Sequence, residues 1–190
     1  MRAGRGTLLA LALGVGVVLT GCVGPRVLLD ESDFPGVVEI HQGGSNNPPG
    51  WTWCDLSAGL ADRVNSHASS LVFDDGTWVA AKIVDNTKDQ MPAADVLRRT
   101  DESAAWCASH SASIDRGYSI EPLEGLAEGE LGWRTREPDG EWGEHVLVPL
   151  DEWRFLAVGF VTEQEKPPVD LDRLVSLAKE GAARFPADGG

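Results

Sequence analysis

Basic residues are scarce in this sequence, and that scarcity sets the first limits on its partners. Sixteen Lys and Arg face thirty Asp and Glu, a formal net charge of −14, and no basic cluster interrupts the acidic background. Such a body is repelled by phosphate backbones and anionic lipid surfaces, so nucleic acid is not expected as a partner. Long apolar runs are missing after residue 20. A membrane-spanning helix needs about 20 apolar residues, so a bundle of such helices is excluded. Cysteine is limited to three residues with no C-x-x-C pair and no accompanying His pattern, and no zinc site or other metal is expected. Familiar catalytic signatures are absent too: no G-x-S-x-G, no H-E-x-x-H, no phosphate-binding loop and no EF-hand loop. A non-enzyme without a cofactor is therefore the expectation. The four histidines, His41, His67, His110 and His145, scattered among loops and strand edges, are read as surface or hydrogen-bonded residues and not as bases. The acidic stretches Asp30-Glu31-Ser32-Asp33 and Asp74-Asp75 are read as turns and solvated faces.

What the sequence does contain is most specific at its start. Arg2 and Arg5 precede Thr7 to Thr20, an uncharged and mostly apolar run of 14 residues, too short to anchor a chain across a bilayer. Leu19-Thr20-Gly21-Cys22 follows and resembles the lipobox of bacterial lipoproteins. In such a box the Cys thiol takes a diacylglyceryl group and the chain is cut just before it. Residues 1–21 are then a signal peptide, Cys22 the lipid attachment site, residues 22–33 a tether, and residues 34–186 a single extracytoplasmic domain on the cell membrane. Cleavage removes two arginines and no acid, taking the formal charge from −14 to about −16. Acylation, at about 0.8 kcal/mol per buried methylene, holds two chains in a bilayer far more durably than one.

Export bears on the two remaining cysteines. Outside the cytoplasm thiols tend to pair, and Cys54 with Cys107 is the pair available. Two buried free thiols are the alternative. Arg outnumbers Lys twelve to four while Ala and Gly are plentiful, as in proteins from GC-rich genomes, which hints at an actinobacterium.

Along the body, Val37 to Ile40 reads as a strand and residues 42–50 as a Gly, Asn and Pro loop. Leu56, Leu60 and Val64 at helical spacing predict a short helix over Asp55 to Asn65. Leu71 to Phe73 and Thr77 to Val84 flank Asp74-Asp75-Gly76 as a hairpin. Pro92 opens a helix whose inner side carries Val96, Leu97, Thr100, Ala104 and Cys107. Strands are predicted at Ile114 to Pro122, Glu130 to Glu137, Glu141 to Pro149 and Trp153 to Thr162. An amphipathic helix over Val169 to Phe185 closes the chain. The expected fold class is α+β, a mostly antiparallel meander with two or three helices packed on it.

The box, a short tether, the segment Leu28-Leu29-Asp30-Glu31-Ser32-Asp33-Phe34-Pro35-Gly36, a Cys pair with its second member on a helix and the closing strand and helix together resemble the exported lipoproteins of mycobacteria and related actinobacteria. Within them the chain is similar to those with a sensor-like domain, of the type found outside the membrane in the mycobacterial receptor kinase PknH. The resemblance implies an α+β fold with a cleft and no catalytic residues.

Seven tryptophans against one tyrosine are the remaining oddity. Trp78, Trp106 and Trp153 are expected in the core. Trp51 and Trp53, beside a Pro-Gly loop and just before Cys54, are the candidate ligand-binding residues, because an indole offers a large apolar face and an N–H donor. Three functions follow: a non-catalytic domain that binds an envelope ligand or protein in a sensing role, a carrier or chaperone of lipids with a Trp-lined pocket, or a hydrolase whose site is unfamiliar.

Overall fold

A computed structural model describes residues 27–43, 67–114 and 118–187. Cys22, Trp51, Trp53, Cys54 and the helix expected over residues 55–65 lie outside the described residues.

Among the described residues seven strands form one sheet: β1 (Val37–Gln42), β2 (His67–Phe73), β3 (Trp78–Asp85), β4 (Ser119–Pro122), β5 (Leu131–Arg136), β6 (Trp142–Pro149) and β7 (Arg154–Thr162). Their spatial order is β1-β2-β3-β7-β6-β5-β4, and every neighbouring pair is antiparallel. The expected α+β class holds. The meander comes in two runs, β1 to β3 and β4 to β7, joined along the β3 and β7 edges. That arrangement forces one long crossover, because β4 lies four strand positions, about 19 Å, from β3. Helix α1 (Ala93–Ile114), 22 residues and about 33 Å long, is ample to make it. Helix α2 (Leu171–Ala182) follows β7 and covers the opposite face.

Period-two alternation divides the sheet's side chains between two cores. Towards α2 point Leu71, Phe73, Val79, Ile83, Val146, Leu156, Val158 and Phe160, packed on Leu174, Val175, Ala178 and Ala182. Towards α1 point Val84, Trp133, Leu147, Phe155 and Ala157, packed on Val96, Leu97, Ala104 and Cys107. The inward face predicted for α1, Cys107 included, is the one observed. Local chemistry fixes the element ends. Asp75 accepts a hydrogen bond from the Thr77 N–H at 2.8 Å and closes the β2–β3 hairpin. Asp170 caps α2, accepting from the Arg173 N–H at 3.2 Å.

Four expectations need correction. First, the strand expected over Ile114 to Pro122 is confined to Ser119–Pro122, because α1 runs on to Ile114. Second, Trp106 is 54% exposed. It precedes Cys107 on α1, so when the thiol turns inward the indole turns out, stacking on His110 with centroids 4.7 Å apart. Trp133, 5% exposed, is the tryptophan that the α1 core holds, while Trp78 and Trp153 are half-buried. Third, His145 lies not at a loop or strand edge but within the interior strand β6, buried at 4% exposure, while its hydrogen bond to Thr135 fits the expectation.

The fourth correction concerns the tether expected over residues 22–33. Leu28 and Leu29 are 3% and 1% exposed and belong to the α2 core. The Leu28 N–H donates to Ser69 Oγ at 3.1 Å, and the Leu28 backbone lies flat on Gly181 of α2. A Cβ added at Gly181 would come within 2.8 Å of the Leu28 carbonyl carbon, nearer still to its oxygen. The glycine is required because nothing larger lets this segment approach the helix. From Leu28 the chain runs back along α2 to its first turn, where Arg173 Nη2 donates to the Asp33 carbonyl at 3.1 Å.

Candidate functional site

That return run builds a cleft at the N-terminal end of α2. Its volume is about 450 Å³, within the range of small-molecule sites. The floor is apolar. Phe34 and Phe73, both 3% exposed, meet edge to face with centroids 6.4 Å apart, and Val169 extends this surface. The walls are stiff, since Pro35 stands on one side and Pro167 and Pro168 on the other, each with φ fixed by its ring. A pocket whose walls need no ordering loses less entropy when it is filled.

The rim is charged. Lys166 and Arg173 supply the cations, Asp33 and Asp170 the acids. These four are not equivalent. Asp170 is committed to its capping bond, and Arg173 spends one Nη donor on the Asp33 carbonyl. Among the described residues, the remaining guanidinium donors and the Lys166 ammonium make no ion pair with a carboxylate.

A second concentration of polar groups lies under the sheet's other face. Ser70, Ala80, Gly159, His145 and Trp133 form one row across β2, β3, β7, β6 and β5. The imidazole of His145 lies over two glycines. A Cβ at Gly159 would stand 2.6 Å from His145 Nδ1, and one at Gly143 would stand 3.1 Å from Nε2. Nε2 is 3.2 Å from Thr135 Oγ1. Burial pushes the imidazole pKa down to about 3, since a charged ring has no water around it there. The ring is thus neutral at physiological pH and poorly placed as an acid or base. Lys82, buried on the same face, is engaged. Ser70 Oγ and Trp78 Nε1 are buried without a hydrogen-bond partner. This row is a polar seam within the core.

The sequence had singled out Trp51, Trp53 and the pair Cys54 and Cys107. Of these the described residues include Cys107 alone, buried on α1 at 2% exposure. Among the described residues no three His, Cys, Asp or Glu side chains converge as metal ligands, and no helix is long and apolar enough to cross a membrane. The cleft residues went unrecognised in the sequence. Their signals were present as Asp33-Phe34-Pro35-Gly36 and as a Lys-Pro-Pro run before a capped helix. What was missing was their proximity, since Asp33 and Arg173 are 140 residues apart.

No protein-family model matches the chain, and no curated protein is similar to it in sequence. Among solved structures it is similar to the crystal structure of the extracellular domain of PknH from Mycobacterium tuberculosis. The identity is 12% and the TM-score 0.48, with 83% of this chain and 91% of that one covered. No functional residue is carried over from it.

Proposed function

We propose that the chain is an exported lipoprotein, acylated on Cys22, whose α+β domain binds a ligand without transforming it. The observation that carries the ligand-binding reading is the α2 cleft: about 450 Å³, floored by Phe34 and Phe73, walled by prolines and rimmed by charge. An apolar floor with a few convergent polar groups is the usual make-up of a small-molecule site. The non-catalytic part is supported by the chemistry at hand. The rim offers cations and solvated acids but no nucleophile paired with a base, and the buried histidine is held neutral. Anchoring is supported by the sequence of residues 2–22 and by the nearness of the core, which begins six residues after Cys22. Cys54 and Cys107 form a disulfide in this reading, as suits an oxidising space.

Native mass spectrometry of the protein taken from its own host tests the proposal. A small molecule released on denaturation supports ligand binding, whereas co-purified membrane lipid would favour a carrier. An empty domain, or turnover of an ester, peptide or glycoside in a substrate panel, would overturn it.

A further inference from the structure

The cleft's chemistry narrows the class of ligand, given the ligand-binding reading above. The floor asks for an apolar body, because Phe34, Phe73 and Val169 offer no hydrogen-bonding side-chain atom. The rim asks for an anion. Lys166 and Arg173 are two of only sixteen basic residues in a chain of net charge −14, and both stand over one opening. Asp33 and Asp170 share the rim; Asp170 accepts the capping bond of α2, and among the described residues neither carboxylate forms an ion pair with Lys166 or Arg173. A guanidinium with donors to spare binds carboxylate or phosphate through charge-assisted hydrogen bonds.

The chain enters the core at Leu28, beside Gly181 in the last turn of α2. The cleft lies at the other end, beside Arg173. Eight helical residues separate Gly181 from Arg173, about 12 Å at 1.5 Å each. Six residues join Cys22 to Leu28, a span of about 22 Å at most. That reach exceeds the distance of about 12 Å along α2, so an acyl group on Cys22 leaves the cleft able to meet both the aqueous phase and the bilayer surface.

We infer that the cleft takes a small amphipathic anion, a carboxylate or phosphate on an apolar body, free in the aqueous phase or presented at the bilayer surface. Lys166 and Arg173 bind the charged group, and Phe34 and Phe73 bind the body.

The test uses protein purified from host membranes with its anchor and placed in phosphatidylcholine nanodiscs. It is titrated calorimetrically against empty discs with 4-phenylbutyrate and with 4-phenylbutan-1-ol, the same body without charge. The acid should bind about tenfold or more tighter than the alcohol, and Lys166→Gln and Arg173→Gln should each weaken it by about threefold to tenfold. Lys88→Gln, remote from the cleft, should change nothing. Equal binding of acid and alcohol, no binding of either, affinity indifferent to both rim substitutions, or an equal loss in Lys88→Gln would overturn the assignment. A bilayer phospholipid that co-purifies with the protein and is lost in Arg173→Gln would support the rim assignment with a lipid headgroup as the source of the anion. A different co-purified molecule retained by both rim variants would leave ligand binding standing while sinking this cleft. A chain recovered without an acyl group fails the anchoring; the rim chemistry is then decided by the same titration in buffer.

Discussion

Replacing Gly181 by alanine separates two accounts of the N-terminal segment by the sign of the effect. In a helix whose glycine merely faces solvent, Gly→Ala stabilises by up to about 1 kcal/mol through helix propensity. Here a Cβ would come within 2.9 Å of Leu28 Cα and closer to its carbonyl group, backbone atoms that cannot rotate away. To restore ordinary contact the segment must lift by roughly an ångström, dragging Leu28 and Leu29 from positions 3% and 1% exposed. Overpacking costs about 1–3 kcal/mol, and each leucine dislodged forfeits up to about 1.5–3 kcal/mol of burial. After the propensity gain, a net loss of about 2 kcal/mol or more is expected. Urea unfolding followed by tryptophan fluorescence reads this as a midpoint lower by about 1 M, for a slope near 2 kcal/mol/M. A Gly181→Ala protein as stable as the parent, or more so, would show that Leu28 does not rest on α2, and the short tether would go with it.

Two further outcomes follow from the polar seam. His145, with a folded pKa of about 3 against about 6.5 unfolded, is protonated first in the unfolded chain. Its neutrality costs nothing above pH 6.5, and stability should fall by about 1.4 kcal/mol per pH unit between there and pH 3. An NMR titration of the His145 ring showing a midpoint near 6.5 in the folded protein would contradict this. Ser70 Oγ is buried without a partner, so Ser70→Ala should leave stability unchanged or raise it by up to about 1 kcal/mol. A loss above about 1 kcal/mol in chemical denaturation would mean that the hydroxyl is satisfied.

Much of the fold was legible because each element announces itself within a dozen residues. Asp74-Asp75-Gly76 between two β-branched runs specifies a hairpin, and Leu174, Val175, Ala178 and Ala182 specify the inner stripe of α2. Information carried over long separations was harder to read. The β3 to β7 pairing joins residues about 70 to 80 apart, and no local pattern reports it. Leu28-Leu29 reads as tether in the sequence, since two apolar residues between a Cys and an acidic stretch show no period. Trp106 was assigned to the core from its bulk, although its place one residue before Cys107 puts it on the outer side of the helix. The cleft was hidden for the same reason as the sheet order. Phe34-Pro35 and Lys166-Pro167-Pro168 are each unremarkable alone and become a site only when α2 turns its first turn towards the domain's first residues.

An intact mass spectrum of the protein extracted from its host's membranes bears most directly on the account as a whole. The account predicts a chain beginning at Cys22, heavier by a diacylglyceryl group, with Cys54 and Cys107 together two hydrogens lighter than free thiols. A cytosolic chain that retains Met1 and carries no acyl mass would contradict it.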